Sequence, residues 1–361
     1  MKIYSLAFLL LIPFPFLFRI TDSKVRLNKN KSVAANIVFK SADGGKTWQD
    51  ISAGLPGNMK ETGVRQDGFF ANSTGFYLPV GNEIYHSRPD AIAPFWEKEE
   101  FPDKLGSIAP GKNGIFGFNY GGKIVQRING TSEWSPVFAN FNGLVRTVFE
   151  NTGGAVFIGS DNGLYKSMNS GKTWKHVHAG GWVMKLVEAD GVLLATGMRG
   201  ILRSTDEGES WSLVVNEGGV GIDVEHIKGG FAAITYSTVS NTRRIRISYD
   251  GGKTWQAIDA GLQTHDFIDP DLQPVKSSPP AQNFFDSTRH PGSTMSMPLP
   301  TYITTIIQFG ENFFCGHTDG IYRSSDKGKT WTLMLPAVKG KMFKLSVSGN
   351  VIYAVQMDSH C

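Results

Sequence analysis

Apolar and polar positions alternate in short runs along most of this chain, and the runs come in groups of four. LVRTVFE, AVFIGS, GLYKSM and TWKHVH follow one another between Gly, Asn and Asp turns. WVMKLVE, VLLATG, ILRST and SWSLVV then repeat the arrangement. A period of two bounded by turn residues predicts strands, and strands joined by tight turns predict antiparallel sheets. The 361 residues include 42 glycines, and 12% are aromatic, as an all-β chain with many turns requires.

One motif punctuates these groups. SADGGKTW (41–48), SMNSGKTW (167–174), STDEGESW (204–211), SYDGGKTW (248–255) and SSDKGKTW (324–331) share the pattern Ser-x-Asp/Asn-x-Gly-x-Thr/Ser-Trp. Weaker copies are EIYHSRPD, followed by Trp96, and KIVQRINGTSEW, ending at Trp134. The Gly-Lys-Thr ending invites comparison with a phosphate loop, but such a loop needs a glycine five residues before its Gly-Lys pair. Lys40, Lys166, Ile247 and Arg323 stand there instead, which excludes nucleotide binding. The pattern suits a tight turn. Ser41, Ser167, Ser204, Ser248 and Ser324, with Asp43, Asn169, Asp206, Asp250 and Asp326, can bond backbone N–H groups. Gly45, Gly171, Gly208, Gly252 and Gly328 permit positive φ, and Trp48, Trp174, Trp211, Trp255 and Trp331 each bury a large apolar face.

On these five copies the chain resembles the Asp-box, or BNR-repeat, proteins, which include sialidases, photosystem assembly-factor propellers and other non-enzymatic propellers. The tryptophans at 48, 96, 134, 174, 211, 255 and 331 recur at about 40 residues, the size of a four-stranded propeller blade. The first copy owns only two strands, IVFKS and TWQDI, while MFKLSVS and VIYAVQM are left over at the other end. The expected fold is therefore an all-β, seven-bladed β-propeller of four-stranded antiparallel blades. C-terminal strands A and B join N-terminal strands C and D to close the ring. A single domain is expected over 33–361, with a proline-rich loop insertion at 260–301.

Residues 1–22 carry one lysine before an apolar run from Ile3 to Phe18, short for a membrane span and suited to a signal peptide. Downstream positive charge leaves an uncleaved anchor as the alternative, so export is expected, with membrane contact only through this segment. Net charge is +4 without a long basic run, which argues against nucleic acid. Cys315 and Cys361 either pair or remain free thiols. His176 and His178 lack a third ligand nearby, so no metal and no cofactor are expected.

The resemblance implies that the Asp-box turns lie on one rim and that the B-to-C and D-to-A loops share the other. Ligand candidates are therefore sought on the second face and along the axis. Arg65, Arg146, Lys185 and Lys344 are read at corresponding positions of four innermost strands, where converging cations would repel unless paired or holding an anion. The B-to-C loops add Asp161, Arg199, Arg243, Arg244, His317 and Asp319. A sialidase of this type uses an arginine triad, a Tyr–Glu nucleophile and an aspartate acid/base, with its first arginine in a Phe/Tyr-Arg-Ile-Pro motif. Phe18-Arg19-Ile20-Thr21 lacks the proline, and no tyrosine matches the nucleophile by motif. The expected function is a non-catalytic binding or assembly scaffold for a protein or acidic glycan ligand. Sialidase-like exo-glycoside hydrolysis of acidic sugars is the alternative.

Overall fold

The computed structural model describes residues 36–57, 68–102, 105–137, 143–216, 218–240, 242–262 and 303–358. Every regular element among them is a strand, and the strands form seven four-stranded sheets. In the order A to D, blade 1 comprises Lys341–Ser348, Val351–Asp358, Val38–Ser41 and Gln49–Asp50. Blade 2 is Phe70–Asn72, Gly75–Val80, Glu83–Ser87 and Glu97–Glu100. Blade 3 is Ser107–Gly111, Gly114–Phe118, Ile124–Ile128 and Trp134–Pro136. Blade 4 is Val145–Glu150, Val156–Ser160, Gly163–Ser167 and Lys175–His178. Blade 5 is Val183–Ala189, Val192–Gly197, Gly200–Ser204 and Ser212–Val215. Blade 6 is Gly219–Ile227, Gly230–Ser237, Thr242–Ser248 and Gln256–Ala257. Blade 7 is Ile303–Phe309, Asn312–His317, Gly320–Ser324 and Thr332–Pro336.

The expected closure is observed: Val38 pairs with Val355 and Ser41 with Ile352, so both ends of the chain build blade 1. Strands A touch from each blade to the next around the whole ring, which makes them the lining of the axis. The apolar core divides into seven clusters, each between two successive blades. Every marker tryptophan packs on the cluster shared with the preceding blade, from Trp48 against Phe314 and Phe343 to Trp331 against Ile258 and Cys315. The repeated tryptophan therefore seals blade to blade, a role that explains its period.

The Asp-box turn is a closed hydrogen-bond circuit. Ser41 is buried, donates to Asp43 Oδ1 at 2.8 Å and accepts the Gly45 N–H at 2.9 Å. Asp43 accepts the Lys46 and Thr47 N–H groups at 3.0 Å and the Thr47 hydroxyl at 2.6 Å. The same bonds recur around Ser204, Ser248 and Ser324. Asn169 reproduces them without a carboxylate, its amide group donating to Thr173 Oγ1 at 2.9 Å. Gly208 has φ +83°, and a Cβ there would lie 2.6 Å from the Phe157 ring of the preceding blade. The glycine thus serves both the turn and the close approach of neighbouring blades.

The basic residue preceding the box serine also ties blades together. Lys166 is buried and reaches Glu209 of the next box at 2.6 Å, while Arg203 Nε donates to Gly251 O at 2.7 Å. Near the axis, the ends of strands A accept N–H groups from the preceding A–B turn: Lys112 to Glu150, Thr152 to Glu188 and Lys228 to Gln308.

These circuits are expected to make the fold acid-sensitive. Hydrogen bonds from Thr47 and Thr330 hold the Asp43 and Asp326 carboxyls at about 2, and Ser210 and Thr254 depress Asp206 and Asp250 further. Unfolded aspartate titrates near ~4, so the folded values lie below it. The stabilisation is complete above ~pH 4 and is lost as pH falls through the folded values. Urea unfolding is expected to show stability declining as pH falls from about 4 to about 2. Replacing the four aspartates with asparagine, as blade 4 already has, should flatten that decline.

Candidate functional site

The B–C and D–A connections of blades 3 to 5 bring together a compact cluster on the rim opposite the Asp-boxes. Arg146 is the extra residue of a β-bulge at the start of strand A in blade 4, between Val145 and Thr147. A bulge re-aims its side chain, and here Arg146 turns into the loops. Its Nε donates to Asp161 of the blade 4 B–C turn. Its guanidinium lies 5.5 Å from the Tyr120 ring centre and 5.0 Å from that of Trp182. Tyr120 donates its hydroxyl to Asp161 at 2.6 Å, and Val145 N–H donates to Tyr120 O at 2.9 Å. Aromatic faces attract a guanidinium through their quadrupole, so the arginine is held in place before any ligand arrives.

Apolar and cationic side chains surround this cluster. Leu144, next to the bulge, is 40% exposed, and Met198, whose N–H donates to Trp182 O at 3.0 Å, is 50% exposed. Arg199 is exposed beside them and makes no ion pair among the described residues. Leu144 and Trp182 enter on D–A loops, Tyr120 and Met198 on B–C loops. Neither carries a repeat signature, so sequence reading missed all four.

The remaining candidates separate. Lys185 does not correspond to Arg146, because Arg146 and Met184 are the equivalent bulged residues and Lys185 lies one position further on. The true equivalents are Ser107, Thr147, Lys185, Asp223, Thr305 and Lys344, set by their pairing with strand B. Strand A of blade 2 begins at Phe70, and Arg65 lies outside the described residues. The axis therefore carries an acid among its bases. Lys185 Nζ donates to Asp223 Oδ1 at 2.7 Å and also to Glu225. Burial by itself would lower the lysine pKa, and the two carboxylates reverse this and raise it. Burial pushes the Glu225 pKa up, against the pull of Lys185. Lys344 Nζ sits 6.0 Å from the Phe69 ring centre.

His317 is fully buried, packs edge-on against Tyr322 and accepts the Asp319 N–H at Nδ1, 3.1 Å away. It shapes its turn instead of facing solvent. Arg243 donates to Ile303 O at 2.6 Å, and Arg244 is paired with Asp259 at 2.8 Å. His176 stacks on Tyr165 at 4.4 Å and bonds Asn162 O at 3.0 Å. No group of three metal-ligating side chains occurs among the described residues. Cys315 is buried, with its thiol pKa raised by that burial, and Cys361 lies outside the described residues. The leader 1–22 lies outside them too, as does the loop beyond Leu262 up to residue 302. No helix among the described residues is long and apolar enough to cross a membrane.

A model of the BNR/Asp-box repeat matches residues 246–257. No curated protein matches the chain. Among solved structures, the extracellular domain of BT4673 from B. thetaiotaomicron is similar at 8% identity and a TM-score of 0.52. That likeness covers 81% of this chain and 38% of that one. YCF48 from Cyanidioschyzon merolae is similar at 11% identity and a TM-score of 0.50, covering 81% of this chain and 97% of that one. At these identities the likeness is one of fold. The chain is thus a seven-bladed β-propeller that carries Asp-box turns, one of which matches the BNR/Asp-box repeat model.

Proposed function

We propose that this propeller is an exported, non-catalytic binding scaffold that docks a protein partner on the B–C/D–A rim of blades 3 to 5. The observation that carries this reading is the arginine held between two aromatic rings and bordered by exposed Leu144 and Met198. Trp, Tyr and Arg dominate the energetic centres of protein interfaces, and methionine is enriched there. Asp161 already offsets the Arg146 charge, so the patch offers apolar and aromatic contact more than an anion cradle. Arg199 remains to meet an acidic group on the partner. The apolar leader at Ile3–Phe18 supports export.

Trp182→Ala should weaken partner binding by about 30-fold or more, the loss of roughly 2 kcal/mol expected at a hot spot. Tyr249→Ala, on the Asp-box rim, should leave it unchanged. Affinity of the isolated partner measured by calorimetry checks this, and equal losses in both variants would refute it. A second reading, sialidase-like hydrolysis, draws on the Tyr120–Asp161 hydrogen bond beside Arg146. A fluorogenic sialoside separates the two: no turnover is expected, and turnover abolished by Tyr120→Phe would establish the enzyme.

A further inference from the structure

Blade 2 breaks the Asp-box rule. It keeps the sealing tryptophan, whose Nε1 donates to Ile51 O at 2.6 Å, but its C–D connection reads RPDAIAPF between Ser87 and Trp96. This longer turn leaves a depression of about 250 Å³ on the Asp-box rim, lined among others by His86, Arg88, Asp90, Ile92, Phe95 and Glu97. Lys40 of blade 1 anchors the turn by donating to Ala91 O, and Ile92 stands 82% exposed at its tip.

The imidazole in this depression is held in one orientation. His86 stacks on Tyr77 with ring centres 4.2 Å apart and planes 6° from parallel. Its Nε2 lies 3.1 Å from Thr74 O. A carbonyl only accepts, so Nε2 carries the proton and Nδ1 presents a lone pair. Thr74 is fixed in turn by Asn72 Oδ1, at 2.9 Å from its N–H and 2.7 Å from its hydroxyl, and by the Tyr77 hydroxyl at 2.8 Å. A Cβ on Gly75 would lie 2.6 Å from His86 Nε2, so only glycine lets the ring lie there.

His86 Nδ1 faces Glu97 Oε2 across 4.0 Å. Arg88 occupies the other oxygen, Oε1. Two acceptors therefore confront each other at a distance that one nitrogen donor spans with ordinary bonds of about 2.8 Å to each. The Asp90 carboxylate lines the same depression, and Ile92 and Phe95 offer apolar surface beside it. The described residues hold no trio of metal ligands, which disfavours a divalent ion. The geometry points to a binding site for a primary ammonium group on an apolar stem, its head between His86 Nδ1 and Glu97 Oε2 and its stem along Ile92 and Phe95.

A free alkylamine and a lysine side chain of another protein share this chemistry. The test uses the full chain at pH 7.5, titrated with n-pentylamine, Nα-acetyl-lysine methylamide and neutral 1-pentanol, while the ring nitrogens of His86 are followed by NMR. Both amines are expected to shift Nδ1, with 1-pentanol at least tenfold weaker. Glu97→Gln, at an exposed position that leaves the fold intact, should weaken both amines at least tenfold, as should His86→Phe. Tighter binding of the lysine derivative assigns the site to a protein lysine, and tighter binding of n-pentylamine assigns it to a small amine. No shift at saturating amine, or equal binding of the amine and 1-pentanol, overturns the proposal.

Discussion

Lys185→Met is expected to destabilise the propeller by about 3 kcal/mol. Breaking a buried ion pair from one side costs about 3–5 kcal/mol because the surviving charge stays desolvated. Asp223 is only 4% accessible, and it would be left beside Glu225 with no cation in between. The lower end of the range applies because a third of the Lys185 side chain meets the solvated axis. Removing all three charges together, as Lys185→Met/Asp223→Asn/Glu225→Gln, should recover to within about 1 kcal/mol of wild type, since neutral replacement removes the desolvation cost as well. In the single variant Glu225, whose pKa burial already pushes up, loses the cation that pulls it down. Such a variant gains stability as pH falls toward 5, opposite in sign to the Asp-box contribution. Urea unfolding across pH reads all three outcomes.

Gly45→Ala should cost about 3 kcal/mol. Its φ of +79° charges an alanine about 1–2 kcal/mol, and overpacking a filled site adds about 1–3. The new methyl would overlap the Phe314 ring of blade 7, a side chain with no accessible surface and no room to retreat. Gly310→Ala is the matched control. It also has positive φ, +59°, but nothing lies within 4 Å of its Cβ position, so only the conformational cost of about 1 kcal/mol remains. A difference between the two variants measures the blade-to-blade contact by itself.

The blades and their closure were legible because a turn circuit needs particular side chains at fixed spacing. Ser41, Asp43, Gly45 and Trp48 are four residues that one local geometry demands together. The axis was less legible. Arg146 and Met184 are both bulged, which has no sequence signature, so Arg146 and Lys185 read as equivalents although the ladder aligns Lys185 with Thr147. The partner of Lys185 comes from the next blade, and only the ring brings Asp223 to it. One available signal went unused: Lys40, Lys166 and Arg203 all precede a box serine, and each reaches across to the following blade. The Tyr120–Arg146–Trp182 stack could not be seen in advance, because it draws on loops of three blades with no shared pattern. The blade 2 depression was visible as an imperfection of the repeat, although its chemistry depends on how His86 is turned.

Closure also has a temporal side. Val38 finds its strand B partner only at Val355, so strands Lys341–Ser348 and Val351–Asp358 are made after those of the other six blades during N-to-C synthesis. Until then the first Asp-box turn hangs from half a blade, and Phe314 of blade 7 has no Gly45 to lie against. Blades 2 to 7 can assemble in sequence, each resting on the one before, but blade 1 must wait for its C-terminal strands. Contacts this distant along the chain slow folding and prolong exposure of unpaired edges. A chain interrupted after blade 7 would therefore remain an open arc with two reactive edges, and completion would depend on residues 341–358.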